Sequence, residues 1–276
     1  QWFDALYSLA PQQSHTLTFS GGNEKLSTRV SARYMDQDGV LPHYNFRIAE
    51  LRANTDYNVS DKLRFNTNLN LRNTNRKEPY NPWGGWTRLT YRILQNSQWA
   101  VPRYEDGSYG LSVDSYSPLI LANEGGLTDE NNTYLVGIFR GEYDIIEGLT
   151  LRGQYSIQYD YGYSSSFANK YFFQDKLHPS RTTVSNLNYM IDNRSQSRED
   201  GVDLQLTFDR SFGLHTINSI AGYSQIHFEN TYVGGYRQQF YNNDLQALSL
   251  GVNDATQSAT GGNSEWGLRS YFARVN

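Results

Sequence analysis

The 276-residue chain contains no cysteine, so it forms no disulfide and offers no thiolate for catalysis or metal binding. It has no apolar run long enough for a transmembrane helix. An excess of positive charge is also lacking, because the formal net charge is -4, and this argues against nucleic acid as a partner. The five His are scattered without metal-site spacing, and nucleophile and phosphate-loop motifs are missing. The sequence therefore predicts no enzyme, no metal and no cofactor.

Aromatic and turn-forming residues are abundant instead. The chain has 22 Tyr, 23 Gly and 5 Trp, and its mean hydropathy is -0.68. Tyr and Trp are enriched in strands, and Gly with polar residues is typical of the turns between them. The composition therefore indicates a β-rich fold with polar loops.

Strict alternation of polar and apolar residues marks the strands. In the segment 25–34, Leu26 and Val30 share one side while Lys25, Arg29 and Arg33 share the other, because side chains alternate across a strand. The clear segments are 25–34, 50–59, 63–72, 149–161 and 202–209. Weaker ones are 14–20, 132–145, 214–228 and 268–276. We therefore expect about nine strands in an all-β, antiparallel, up-and-down arrangement.

The links between these strands alternate between short and long. Tight turns are expected at 21–24, 60–62, 147–148 and 211–213. Long links are expected at 36–44, 74–131, 164–200 and 230–265. Short turns at one end and long loops at the other are typical of outer-membrane β-barrels, although a soluble sheet also buries one face of its strands.

In a membrane barrel, the apolar side of each strand meets lipid and the polar side lines a wet interior. We expect the following residues to face lipid: Leu51, Ala53, Leu63, Leu69, Leu151 and Ile157. The lumen-facing candidates are Arg29, Arg33, Arg52, Arg64, Arg72 and Arg152. In a soluble sheet, the same arginines would lie on its solvated face.

Nine strands do not close a membrane barrel of this kind. An open sheet edge in hydrocarbon leaves backbone groups without partners, at a cost of several kcal/mol each. We therefore expect the chain to be one section of a larger barrel.

Three stretches of the sequence share the motifs of one known family. In the opening "QWFDALYSLAPQQSHTLTFSGGNEKLSTRVSARYMDQDGVL", an acidic, aromatic stretch precedes a strand ending in Ser-Gly-Gly. "FRIAELRANTDYNVSDKLRFNTNLNLR" corresponds to the following strand pair, and "YRILQNSQWAVPRYEDGSYG" to the next helix and loop. The matching positions include Trp2, Asp4, His15, Ser20, Gly21, Gly22, Tyr34, Asp36, Gln37, Gly39, Arg52, Asn54, Leu63 and Asn70. Through these residues the chain resembles the SusC family of TonB-linked outer-membrane transporters.

The resemblance implies a mid-barrel fragment of a plugged barrel of about 22 strands. Residues 1–276 would form part of one barrel domain, with the plug, the TonB box and the remaining strands outside this chain. It also implies the outer membrane of a Gram-negative bacterium as location, with the long loops on the cell surface.

The resemblance further implies active import of a nutrient, an oligosaccharide in the first place or else a peptide. Expected partners are a SusD-like surface lipoprotein, the TonB complex through parts outside this chain, and outer-membrane lipid. Two alternatives stay open: a passive porin or adhesin-like barrel, and a soluble carbohydrate-binding β protein.

The aromatic residues after position 75 are candidates for ligand contact, because aromatic rings stack on sugar rings and attract cationic groups. These candidates are Trp83, Trp86, Trp99, Tyr104 and Tyr109. The alternative is that the rings pack the long loop onto itself or onto a partner. A short helix at 86–97, with Leu89, Ile93 and Leu94 on one side, favours packing.

Overall fold

The computed structural model describes residues 2–80, 85–96 and 99–276. The helices are α1 (Trp2–Leu6), α2 (Gly85–Gln95) and α3 (Pro118–Glu124), with a 3-10 turn at Leu248–Leu250. The strands are β1 (Gln12–Gly22), β2 (Leu26–Asp38), β3 (Asn45–Ser60), β4 (Leu63–Pro79), β5 (Gly126–Ile146), β6 (Leu149–Ala168), β7 (Tyr171–Gln174), β8 (Thr182–Ser185), β9 (Tyr189–Phe212), β10 (His215–Gln238) and β11 (Ser258–Val275).

Nine strands form one antiparallel sheet in the order β1-β2-β3-β4-β5-β6-β9-β10-β11. Each strand pairs with the next strand along the chain, except that the small hairpin β7–β8 is inserted between β6 and β9. The expected all-β, up-and-down arrangement of about nine strands is therefore confirmed. The short turns join the strands at one end of the sheet, the turn end, and the long loops join them at the other, the loop end.

The strands extend further towards the loop end than the alternation predicts. β9 begins at Tyr189 rather than at residue 202, and β4 ends at Pro79 rather than at residue 72. In these extensions polar residues occupy both sides of the strand, so the period-2 signal disappears although the backbone ladder continues. The long links are correspondingly shorter than expected.

Two of the tight turns depend on glycine. Gly148 and Gly213 have φ angles of 83° and 61°, in the left-handed region that disfavours side chains. A Cβ added at Gly148 would also lie 2.4 Å from the carbonyl oxygen of Asp209. The backbone at this turn therefore has no room for a side chain.

Helix α2 confirms the expected helix at 86–97, with slightly different bounds. Leu89 and Ile93 are buried, whereas Leu94 is 67% exposed, so the expectation that all three share the packed side is wrong for Leu94. Among the described residues, no helix combines the length and the apolar content needed to cross a membrane.

The buried core lies at the loop end, in the loops and the adjoining ends of strands, rather than on the faces of the sheet nearer the turn end. One cluster joins α1, α2, α3 and the β2–β3 link, and a second joins Phe167, Met190 and Phe240. The buried members of the first cluster are Trp2, Leu6, Leu41, Leu89, Ile93, Ala100, Leu119, Leu121 and Ala122. In contrast, Leu51 on the sheet is 47% exposed. The apolar side of the sheet therefore needs an apolar environment outside this chain.

Candidate functional site

The strand register places the six candidate arginines on one side of the sheet, which we call the polar face. Arg29 pairs with Asn54, Arg52 pairs with Asn70, and Arg64 pairs with Glu142 across neighbouring strands. The opposite side, the apolar face, carries the six residues expected to meet lipid. They are Leu51, Ala53, Leu63, Leu69, Leu151 and Ile157.

Ion pairs tie neighbouring strands together on the polar face near the turn end. Arg64 Nη1 lies 2.8 Å from Asp144 Oδ2, and Arg64 Nη2 lies 3.6 Å from Glu142 Oε2. Arg152 donates from Nε to Glu142 at 2.7 Å, and Thr150 donates to Asp144 at 2.7 Å. The charges at this end therefore partly neutralise each other within the sheet.

Further from the turn end, the cations are less completely paired. Arg52 lies 2.8 Å from Glu50, whose side chain is 7% exposed, and Arg72 lies 5.3 Å from the ring centre of Tyr134. In the described part of the chain, Arg29 and Arg33 have no carboxylate within 4.0 Å. Arg33 donates instead to Ser14 and to the sulfur of Met35.

The apolar face forms a band with a sharp upper limit. In β4 it runs from Leu63 to Leu71, and the next residues on the same side are Asn73, Asn75 and Lys77. Its length is close to the roughly 9 to 11 residues that a tilted strand needs to cross a bilayer. Aromatic side chains lie on this face near the turn end, where an interfacial girdle is expected. They are Tyr57, Phe65, Tyr143, Phe208 and Phe212.

The limit of the band runs obliquely across the sheet. In β2 the last apolar-face residue inside the band is Tyr34. The register aligns Tyr34 with Asn263 in β11, but in β11 the last residue inside the band is Tyr271, eight residues nearer the turn end. Eight residues correspond to about 26 Å along the strands, and the seven steps from β2 to β11 correspond to about 34 Å across them. If the limit of the band is parallel to the membrane, the strands are tilted by about 38° from the membrane normal. Membrane barrels have strand tilts of roughly 35 to 45°.

Above the band, charged pairs occupy the side that is apolar below. Arg47 lies 3.3 Å from Asp36, and Lys77 lies 3.5 Å from Asp129. Asn45 donates hydrogen bonds to both Asp36 and Asp38, so the two carboxylates at the loop end of β2 each have a hydrogen-bond partner. This part of the sheet therefore has the chemistry of a surface in water.

Asp175 joins the two longest loops at the loop end. Its side chain is 1% exposed and accepts hydrogen bonds from the Leu111 N–H at 2.8 Å, the Tyr104 hydroxyl at 2.9 Å and the His178 N–H at 2.9 Å. Burial by itself raises the pKa of Asp175, but these hydrogen bonds outweigh it and hold the pKa at about 2. Burial and the bond to Asp175 raise the pKa of Tyr104.

Tyr109 contacts the same hairpin as Tyr104. Its hydroxyl donates to Glu124 at 2.8 Å, its ring meets Phe173 edge-on at 5.2 Å, and Arg103 lies 4.4 Å from its centre. Burial, followed by the bond to Glu124, raises the pKa of Tyr109. The structure therefore brings Tyr104 and Tyr109 together in loop packing.

Of the three Trp candidates, Trp99 is the one whose side chain the structure describes. Trp99 is 93% exposed at the loop end. Trp83 and the side chain of Trp86 lie outside the described residues. Their assignment as ligand contacts stays a prediction.

The third long loop is anchored through Asn188. Its buried amide donates to the carbonyl oxygens of Phe240 and Asn242 and accepts from the Phe240 N–H at 2.8 Å. Asn243 in turn exchanges two hydrogen bonds with the backbone of Lys170. The β10–β11 loop is therefore held against the β6–β9 link.

The sequence reasoning missed a second set of aromatic residues, on the polar face of the last strands. Phe228 stacks on Trp266 at 5.5 Å, and Tyr189 contacts both Tyr80 and Tyr236 at 5.7 Å. Phe228, Tyr232 and Tyr236 recur every fourth residue of β10 and therefore share one side. This recurrence is the signal by which the sequence could have revealed them.

No family model matches the chain. The chain is 25% identical over 289 residues to TonB-dependent receptor P3 of Formosa agariphila, covering 100% of the chain and 27% of the receptor. It is 26% identical over 174 residues to TonB-dependent receptor P26 of the same organism, covering 61% of the chain and 17% of that receptor. The chain is therefore similar in sequence to proteins named TonB-dependent receptors. It spans about a quarter of the length of the first of them.

Solved structures share the fold of this chain. The RagAB peptide importer in its closed-closed state matches 100% of this chain with a TM-score of 0.78 and 20% identity, over 31% of its own chain. Its open-open state gives a TM-score of 0.77 over 30% of its chain. The likeness confirms the fold class. The relatives carry the names of receptors and importers, which agrees with the expectation of no enzyme.

Proposed function

We propose that this chain is part of a SusC-like transporter that imports a nutrient across the outer membrane of a Gram-negative bacterium. The observation that carries the proposal is the tilted apolar band, which has the width and slope of a sheet that crosses a bilayer. Residues 1–276 would form part of one barrel domain. The plug and the TonB box would lie elsewhere in the full protein.

The polar face would line the lumen. Arg29, Arg33, Arg52, Arg64, Arg72 and Arg152 share that face. An aqueous interior suits them because an unpaired cation in hydrocarbon is costly. The incompletely paired Arg29 and Arg33 would then be available to the plug, while Arg64 and Arg152 would hold the wall through Glu142.

The cargo in this proposal is an oligosaccharide, with a peptide as the alternative. RagAB is a peptide importer by name, and the two Formosa proteins are TonB-dependent receptors by name. The proposed partners are a SusD-like surface lipoprotein above the loop end and the TonB complex on the other side of the membrane. The loops, joined by Asp175 and Asn188, would face the cell exterior.

Localisation and energy coupling test this proposal directly. The full-length protein is tagged in the exposed loop at Tyr241 and expressed in its own bacterium, and uptake of labelled oligosaccharide and peptide pools is compared with a deletion strain. We expect the tag in the outer-membrane fraction and uptake that stops when a protonophore removes the energy source. Recovery without detergent would favour a soluble protein, and uptake that resists the protonophore would favour a passive pore.

The loop candidates need a separate experiment. Replacing Trp83 and Trp86 by Ala in the full-length protein, with growth on the imported nutrient and co-purification of the lipoprotein as readouts, separates their roles. We expect impaired co-purification, because the loop lies at the mouth of the proposed barrel. Lost growth with intact co-purification would assign the rings to the cargo instead. If neither changes, the rings serve only to pack the loop.

A further inference from the structure

A cavity of about 380 Å³ lies where β5, β6, β9 and β10 run side by side above the apolar band. Most of its lining residues belong to the polar face. They are Glu130, Asn132, Gly162, Ser164, Asn193, Ser195 and Tyr232. Arg194, which also borders it, alternates to the other side of the sheet, where it lies 5.2 Å from the ring centre of Tyr163.

Two glycines on the polar face keep this space open. A Cβ at Gly162 would lie 2.7 Å from Ser195 Oγ and 3.0 Å from Asn132 Oδ1. A Cβ at Gly234 would lie 2.4 Å from Asn193 Oδ1 and 2.9 Å from Thr260 Oγ1. The hydroxyl and amide groups therefore occupy space that a side chain at either glycine would fill.

Tyr232 forms the aromatic wall of the cavity. It rests against β11, because a Cβ at Gly262 would lie 3.0 to 3.3 Å from the Tyr232 ring and hydroxyl. The residue is nevertheless 48% exposed. A ring supported on one side and open on the other is a platform on which a ligand can stack.

The polar groups around the cavity are available to a ligand. Among the residues that the structure describes, the side chains of Asn132, Asn193, Ser164 and Ser195 form no hydrogen bond. Glu130, the carboxylate on this side, is held by Arg76 at 2.7 Å. The cavity therefore offers several neutral donors and acceptors and one charge that is already balanced.

We propose that this cavity is a subsite for one neutral sugar unit of the imported cargo, stacked on Tyr232 and hydrogen-bonded by Asn132, Asn193 and Ser195. The proposal rests on the import function above and names its cargo class. Sugar rings present C–H groups to an aromatic face and hydroxyls to amides. Strand addition, the mode in which an extended peptide pairs with a free strand edge, is closed here because β5, β6, β9 and β10 are each paired on both sides.

Binding measurements on variants of the full-length transporter test the subsite. Calorimetry is performed in detergent with neutral hexasaccharides of glucose, mannose, galactose and xylose, and with a pool of peptides of similar mass. Tyr232→Ala removes the platform and should weaken sugar binding about tenfold. Tyr232→Phe keeps the ring and should stay within about twofold of the parent.

Two further variants sharpen the test. Asn193→Leu keeps the volume but removes the amide, and should weaken binding about fivefold. Tyr241→Ala is the matched control, because Tyr241 lies three residues beyond the end of β10, outside the cavity, and is 94% exposed. It should bind like the parent. Heat-modifiable migration on gels confirms that every variant is a folded barrel.

Three results would overturn the subsite: no hexasaccharide binds, a hexasaccharide binds equally to the parent and to Tyr232→Ala, or only peptides bind. None of them refutes import, since energy-dependent uptake in cells is measured separately. Conversely, uptake that resists the protonophore would refute active import, while a sugar affinity that depends on Tyr232 would still support the subsite.

Discussion

The two halves of each strand have the same backbone but different surroundings. In β4, Leu69 and Leu71 lie on the apolar face near the turn end, whereas Asn73 and Asn75 occupy the same side nearer the loops. The antiparallel ladder of β4 continues through both halves, and the register shift in its pairing with β3 lies at the turn end, between Asn58 and Ser60. The change therefore lies in the polarity of the side chains rather than in strand structure, as expected if this side meets hydrocarbon near the turn end and water near the loops.

The halves also differ in what stabilises them. The buried clusters of the described residues lie at the loop end, where Leu89, Ile93 and Asp175 are almost fully buried. Near the turn end, Leu69 and Leu151 are 38% and 41% exposed. In the proposed barrel, the lower half of the sheet, near the turn end, would therefore depend on the backbone ladder and on lipid. The upper half, near the loop end, depends on side-chain packing between loops.

A charge in the lower half should have the largest effect on stability. Leu69→Arg places a cation on the apolar face inside the band, and we expect the free energy of unfolding to fall by up to about 2 to 4 kcal/mol, the cost of a cation near the bilayer midplane. The measurement is denaturant unfolding of the full-length protein in lipid vesicles. Thr231→Arg, on the same side of the sheet but above the band, is the control and should change stability by less than about 0.5 kcal/mol. Equal effects would abolish the distinction between the halves.

Removing the charge that joins the loops should affect only the upper half. Asp175→Asn weakens the bonds from Leu111, Tyr104 and His178, and we expect the local stability of these loops to fall by about 2 kcal/mol. Amide hydrogen exchange at Leu111 should then be about thirtyfold faster. Asp244→Asn, in an exposed stretch of the third loop, should leave the exchange unchanged. Faster exchange in the strands of the lower half would contradict local coupling.

Acid should reproduce the effect of this substitution. Because the folded loops lower the pKa of Asp175 from 3.8 to about 2, its stabilisation is complete at neutral pH and is lost as the pH falls through that interval. Exchange at Leu111, corrected for its intrinsic pH dependence, should accelerate between about pH 4 and pH 2. The Asp175→Asn protein should show no such step. A step of the same size in that variant would assign the transition to another group.

The smallest effect is expected for the ion pairs of the polar face near the turn end. Glu142→Gln weakens the contacts with Arg64 and Arg152, which are partly solvated, and we expect a loss of stability below about 1 kcal/mol. Unfolding in vesicles at low and high salt provides the measurement. A loss as large as that of Leu69→Arg would mean that this face is not wet.

The sequence predicts the lower half well and the upper half poorly, for the same physical reason. Alternation appears where one side must be apolar, so Leu63 to Leu71 is recognised, whereas β9 from Tyr189 to Gly201 is not, because both of its sides are polar. The hairpin β7–β8 and helix α3 are too short for a periodic signal.

The candidate site was also only partly accessible from the sequence. The six arginines follow from strand parity alone, and the structure places them together. The loop aromatics Tyr104 and Tyr109 were recognised by residue type, but their packing against Phe173 and Asp175 depends on a hairpin distant in sequence. Tyr232 was missed because its cavity depends on the glycines of β6 and β11, which only the register brings beside it.

Single-cysteine labelling tests the central claim, that the apolar face meets lipid and the polar face meets water. This chain supplies no native thiol, so once any Cys elsewhere in the full-length protein is replaced by Ser, a nitroxide can be attached in turn at Leu69, Asn68 and Thr231 of that protein in nanodiscs. We expect collisions with oxygen to dominate at Leu69, and collisions with a water-soluble nickel chelate to dominate at Asn68 and Thr231. High nickel accessibility at Leu69, with high oxygen accessibility at its neighbour Asn68, would contradict the account.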